Sequence, residues 1–418
     1  MSSPDPSLAS LPRLLRNDPA LTQALGDPSG FVAVPEAARA VAVAALAQLG
    51  DRRPLVVACP TGSDAGQLYD DLCQYMPAGE VVLFPAWETL PFERVSPSVE
   101  TMGRRLEVLW RLQDPGRCPA IVVAGVRALL QHLGPEAAAV QPVRVRKGDV
   151  LDPEALVGDL VRAGYRREEL VEHRGEIARR GAIVDIFPST ADAPIRIDLW
   201  GDEVDRLAEF SVSDQRSVRD LPEALVFPAR ELVSTEAVQA RAAALVASEP
   251  WGREQWERLA DGALFDGMES WLPWLVDEPQ LLTDVLPSAA KVALVEPRRM
   301  RDRANDLLAE EDDLARALAS TWQRDATTPF PRLHAERTQH VHQPVHPAVE
   351  LAPRRDPVPV DQRRFGSPST LVAVHHLLQQ SCHRRMVGAR SNTRERKSVL
   401  PFVTARSSTQ LHLRCRPS

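Results

Sequence analysis

The sequence predicts an α/β body, a parallel sheet with flanking helices, interrupted by a small α+β insert and followed by a disordered tail. Three observations carry this. Short apolar runs alternate with helical patterns from about residue 30 to 140, as strands and helices do in a covered parallel sheet. Between 141 and 217 the apolar period falls to two, the mark of half-buried strands. From 326 onward periodicity disappears, and Arg, Pro and His crowd together.

In chain order, PLVVAC (Pro54–Cys59) is a buried strand, and Leu68, Leu72 and Tyr75 then recur at helical spacing. EVVLFP is the next strand and leads into FPAWETLPFERVSP (Phe84–Pro97). Three prolines make this stretch a stiff loop. Phe84, Trp87 and Phe92 are expected to pin it to the core, with Glu93 and Arg94 as its polar centre. The following helix puts Met102, Leu106, Leu109 and Trp110 on one face, and AIVVAGV (Ala120–Val126) is a further buried strand. Within the insert, Ile195, Ile197 and Leu199 face one way, and Arg196, Asp198 and Trp200 the other. Helices near Thr235–Ala247 and Arg299–Ala319, with the strand KVALVEP between them, return the chain to α/β character. The expected division is therefore 1–140 and 218–325 for the body, 141–217 for the insert, and 326–418 for the tail.

Composition bounds the function. The 418 residues are 44% hydrophobic and 26% charged, as in a globular protein with a proper core. No apolar run is long enough to cross a membrane, and the N-terminal residues have no apolar core of a secretory signal. Five scattered cysteines (Cys59, Cys73, Cys118, Cys382, Cys415) suit neither a disulfide framework nor a zinc site, and point to a reducing, cytoplasmic location. Residues 331–418 carry fourteen Arg and one Lys against five acids, so an acidic body of net −17 precedes a tail of net +10. His340, His342 and His346 lie close together in that tail, but Pro344 and Pro347 prevent a helix that would present them to a metal. A segment of this kind reads as disordered or as the product of a shifted reading frame.

Catalytic machinery is not expected. A phosphate loop after the first strand needs a glycine-rich turn ending in Lys and Ser or Thr. Here Gly62 and Gly66 are followed by no cation, Asp64 sits where an anion would lie, and Ser63 suffices as a helix cap. His132 and His173 stand without a nucleophile beside them. The acidic pairs Asp70-Asp71 and Glu168-Glu169 read as solvated faces. No cofactor and no metal are expected.

Two stretches, FPAWETLPFERVSPSVETMGRRLEVLWRL (Phe84–Leu112) and HRGEIARRGAIVDIFPSTADAPIRIDLWGDEVDRLAEFSVSDQRS (His173–Ser217), resemble the amino-terminal region of the bacterial transcription-repair coupling factors (Mfd) and, more distantly, UvrB. The resemblance covers roughly residues 10–325. It implies a UvrB-like, helicase-type domain that has lost its phosphate loop, split by an inserted domain that binds UvrA. It implies no catalysis by this chain: in complete family members ATP and magnesium serve a motor, and RNA polymerase and DNA are met by further domains, none of which is found here. By position in the resembling motif, Arg166, Arg180 and Phe187 are the UvrA-contact candidates, with Arg174 and Arg196 as weaker additions. The competing reading places Phe187 in the core and the arginines on solvated edges. Residues 161–210 hold eight Arg against eleven acids, a balance that suits a protein partner better than a nucleic acid. The expected function is recruitment of UvrA in nucleotide excision repair; the alternatives are an ATP-dependent DNA translocase, by family name only, or the nonfunctional product of a broken gene.

Overall fold

The computed structural model describes residues 8–26, 29–90, 92–319, 330–335 and 348–353. Four strands come first: β1 (Ser29–Val34), β2 (Leu55–Cys59), β3 (Val81–Phe84) and β4 (Ile121–Gly125). The middle of the chain gives β5 (Val143–Arg146), β6 (Arg166–Arg167), β7 (Glu176–Arg180), β8 (Ile183–Ile186) and β9 (Ile195–Trp200). It continues with β10 (Glu203–Phe210), β11 (Ser217–Asp220) and β12 (Glu223–Val226). Two strands, β13 (Lys291–Val295) and β14 (Ala348–Pro353), close the series.

Six strands form the body sheet, in the order β1-β14-β13-β2-β4-β3, and every pairing is parallel. A parallel sheet needs cover on both faces, and β2 and β4 are buried at every residue. One face meets the alanine-rich helix Arg39–Leu49 and the helix Gly62–Cys73. The other meets the helix Val99–Leu112, which buries Leu106, Val108, Leu109 and Leu112 there. Ser98 caps that helix by accepting from the Thr101 amide at 3.1 Å.

The Phe84–Pro97 loop is pinned as its aromatics predict. Phe84, Trp87 and Phe92 are buried, while Leu90 is exposed. Phe92 adopts a left-handed backbone conformation (φ 66°), and its ring packs edge-on to Trp274 and Phe330 at 6.1 and 5.1 Å. Trp251, Trp256 and Trp271 complete this aromatic core, the last two edge-to-face at 4.7 Å.

The second sheet runs β11-β10-β9-β8-β7-β6, antiparallel except for β6 with β7. The insert extends past the expected boundary at 217, because β11 pairs with β10 and β12 pairs back with β5. The sequence hid this: β11 is almost wholly exposed and shows no apolar alternation. Two glycines set how closely the insert lies on the helix Val99–Leu112. A Cβ on Gly103 would stand 2.5 Å from Ser189 Oγ, and one on Gly175 would stand 3.1 Å from Val99. Gly103→Ala is expected to lower the unfolding free energy by about 1–3 kcal/mol in a urea titration, as overpacking does. Ser189→Gly in the same chain should restore most of that loss; no loss in the single variant would mean that the two surfaces part freely.

The expected tail is not uniform. Phe330–Ala335 pack into the body, with Leu333 and His334 buried, and Ala348–Pro353 form an interior strand of the main sheet. Neither piece has enough periodicity to be read from sequence, because a single buried strand among Pro, His and Arg carries no repeating pattern. The rest of the tail, including His340, His342 and His346, lies outside the described residues.

Candidate protein-docking face

Alternation divides the second sheet into two faces. Ile177, Val184, Ile186, Ile195, Ile197, Leu199, Val204 and Leu207 point inward, against Leu156, Val157 and Leu160 of the helix Pro153–Arg162. Asp152 caps that helix by accepting from the Glu154 amide at 2.8 Å. The cross-strand pairs Ala178↔Asp185, Asp185↔Arg196 and Ala208↔Arg196 place the opposite set together on the outer face. Arg180, Asp198 and Trp200 follow by the two-residue period. The apolar stretch of this outer face, Val171, Ala178, Phe187 and Phe210, packs as a small cluster of its own.

Asp185 is the hub, buried to 1% exposure. Arg196 approaches it in fork geometry, Nε to Oδ1 at 2.7 Å and a terminal nitrogen to Oδ2 at 2.9 Å, and Arg180 donates to Oδ2 at 2.7 Å. Arg196 is further fixed by donating to the Gln215 carbonyl at 2.9 Å, with its guanidinium 4.7 Å from the centre of the Phe210 ring. Its own pKa is raised, first by the hydrogen bonds to Asp185. Arg196 is thus mostly enclosed, whereas the Arg180 side chain keeps 45% of its surface.

Arg166 stands at the sheet edge, 67% exposed, and reaches Glu176 Oε1 at 3.0 Å. Burial would raise the Glu176 carboxyl, but donation from the Glu172 and His173 amides, with the His173 and Arg166 charges, outweighs it and holds the group below the ordinary carboxylate range. His173 therefore belongs to this carboxylate, 3.3 Å away. Arg174 turns toward the body, pairing with Asp192 at 2.9 Å and Glu100 at 3.3 Å, its guanidinium 5.5 Å from the Phe187 ring.

The five sequence candidates thus separate. Arg166 and Arg180 offer free surface, while Arg174 and Arg196 hold other groups in place. Phe187 is only 8% exposed, so the core reading applies to it: its ring fills the cluster with Val171 and Phe210 rather than standing out as an anchor. Sequence reasoning missed Asp185, whose only signal is a lone acid inside the apolar run IVDIFP.

At the end of β2, where a phosphate loop would lie, the cap is Thr61 and not Ser63: Thr61 Oγ1 accepts from the Asp64 amide at 3.0 Å. Asp64 Oδ2 accepts from Thr61 Oγ1 at 2.8 Å and faces Arg299 at 3.3 Å. Glu296 answers Arg39 at 2.7 Å and Arg299 at 2.8 Å. Burial, then the Asp64 charge, pushes the Cys59 thiol up to about 12. Two carboxylates, Asp64 and Glu296, and two guanidiniums, Arg39 and Arg299, thus pair with one another at this position. Asp70, Asp71, Glu168 and Glu169 are all exposed. Among the described residues no group of His, Cys, Asp and Glu could hold a metal ion, and no helix is long and apolar enough to cross a membrane.

Comparison with known proteins falls on the same module. Residues 143–232 match the UvrB interaction domain. The chain is 38% identical over 334 residues to the transcription-repair-coupling factor of Mycobacterium tuberculosis, covering 74% of this chain and 27% of that protein. It is 31% identical over 293 residues to the one of Bacillus subtilis (66% and 25%), and 31% over 244 residues to the one of Escherichia coli (56% and 21%). The resemblance read from FPAWETLPFERVSP and the RRGAIVDIFP stretch is borne out, and it is to the amino-terminal region of those proteins. The chain spans about a quarter of the length of the curated relatives it matches.

Proposed function

We propose that this chain, a relative of the transcription-repair-coupling factors, recruits UvrA to transcription-coupled nucleotide excision repair through the outer face of its second sheet. The observation that carries this is the pair Arg166 and Arg180, exposed on one face inside residues 143–232 and each held by a buried carboxylate, Glu176 or Asp185. An arginine fixed before binding loses little side-chain freedom on docking, and arginine is enriched among the residues that dominate interface energies. Arg174, Arg196 and Phe187 act from behind, by keeping that face in shape. The module is noncatalytic in this reading, because the turn after β2 lacks the lysine of a phosphate loop and the nearby Arg299 is engaged by Asp64 and Glu296. Contacts with RNA polymerase and DNA fall to other parts of such proteins.

Calorimetric titration with purified UvrA tests the reading. Arg180→Ala is expected to weaken binding by about thirtyfold, the effect of a residue worth ~2 kcal/mol, with Arg166→Ala weakening it less. Undiminished binding by Arg180→Ala would overturn the assignment of this face. ATP turnover by the purified chain would overturn its noncatalytic part.

A further inference from the structure

Trp200 is 82% exposed at the tip of the β9–β10 hairpin. Standing alone Trp200 would be ordinary, since single exposed apolar side chains are common and it is contiguous apolar patches that mark interaction sites. Among the described residues its ring stacks on no other aromatic ring and lies under no guanidinium. It is not solitary, however. Trp200 pairs directly across from Glu203, and Glu203 bridges on its other side to Val150. Residues paired in this way project to the same side of a sheet, so Trp200, Glu203 and Val150 form a short row, and Val150 is also 71% exposed.

This row lies on the same face as Arg180 and Asp185, because Trp200 follows Arg196 by four residues along β9. Its charge differs from that around Arg166 and Arg180. Asp202, Glu203 and Asp205 are exposed, and none of their side chains makes an ion pair among the described residues; the cations nearby are Lys147 in the neighbouring turn and Arg206, which is taken up by Asp220 at 2.7 Å. An aromatic ringed by acids repels phosphates, which argues against a nucleic acid or an anionic membrane. It suits an apolar socket with a basic rim on a protein surface.

We infer that Trp200, supported by Val150 and rimmed by Asp202, Glu203 and Asp205, is a second anchor of the docking face, inserting into a basic-rimmed apolar socket on the same protein partner. This rests on the recruitment reading above. It enlarges the footprint from the β6 edge that carries Arg166, past Arg180, to the β9–β10 hairpin, since Arg180 pairs with Ile183 and Ile183 with Asp198, two residues before Trp200. Acids added on that side of the arginines favour one orientation of the partner.

Titration of the whole chain into purified UvrA tests the inference. Trp200→Ala is expected to raise Kd at least tenfold with its melting temperature unchanged, and Trp200→Phe to keep most of the affinity. Asp202→Asn with Glu203→Gln should slow association and flatten its dependence on salt. If Trp200→Ala binds like the wild type while Arg180→Ala does not, the second anchor is wrong and the recruitment reading stands. If the wild-type chain does not bind UvrA, the recruitment reading itself fails. A dimer in sedimentation velocity that Trp200→Ala abolishes would assign the patch to a second copy of this chain, and would overturn the inference.

Discussion

Glu231→Ala is expected to lower the unfolding free energy by about 3–5 kcal/mol, the cost of leaving a buried charge without its partner. Glu231 and Arg105 are both fully enclosed, joined through Nε to Oε2 at 2.6 Å and a second nitrogen to Oε1 at 3.1 Å. The same carboxylate accepts from Trp87 Nε1 at 2.9 Å and from the Gly134 amide at 3.2 Å, and Arg105 also donates to the Pro85 carbonyl at 2.9 Å. The Arg105 guanidinium stands 4.4 Å from the centre of the Phe84 ring. One carboxylate therefore clamps the Phe84–Pro97 loop, the helix Val99–Leu112 and the chain as it returns from the insert. Urea unfolding followed by tryptophan fluorescence checks this, with Glu231→Gln falling between wild type and Ala. Replacing both partners, Arg105→Met with Glu231→Leu, should recover part of the loss, since no charge then remains buried. A single Ala variant within about 1 kcal/mol of wild type would show that the clamp contributes little beyond an ordinary surface pair.

The second large effect concerns residues that the sequence reads as tail. A chain ended at Thr327 is expected to lose its monomeric, cooperatively unfolding state, while one ended at Pro353 keeps it. β14 lies between β1 and β13 and pairs with both, so removing it strands β1 and leaves β13 as a bare edge. Burial of Val349 and Leu351 alone contributes about 1.5–3 kcal/mol each. An unpaired parallel edge is also a template for association. The shorter chain loses a further lock as well: Glu311, buried in the helix Pro297–Leu318, accepts from the Leu333 amide at 2.6 Å and meets His334 Nδ1 at 3.0 Å. Size-exclusion chromatography with thermal melting separates the outcomes, and equal stability of the two chains would mean that β14 is dispensable to the sheet.

The strands β2, β3, β4 and β13 and the helices that follow β2 and β13 were legible because each repeats an apolar period over enough residues to be counted. The stiff loop was legible for a related reason: prolines forbid helix and sheet, so its aromatics had to serve as anchors. The division of the outer sheet face was readable too, since IRIDLW alternates without interruption and β9 buries the residues that this alternation selects. The family resemblance came from long motifs in this same stretch, and it brought the five candidate contacts together on one module.

What the tertiary structure decided was which of those candidates has surface to offer. Phe187 and Arg196 carry the residue types of an interface, but Asp185 and Phe210 draw them inward. Arg166 and Arg180 stay outside because their carboxylate partners reach only part of each guanidinium. Composition and spacing cannot separate these cases, as an arginine inside a sheet and one at its rim have the same neighbours in sequence. The Arg105–Glu231 clamp and the place of β14 were hidden for the same reason: both join residues more than a hundred positions apart, or strands that pair out of order. Sequence alone determined the strongly periodic elements and the module, though not β11 or β14; long-range pairing decided which surface that module presents, because exposure is a property of what folds over a residue and not of the residue itself.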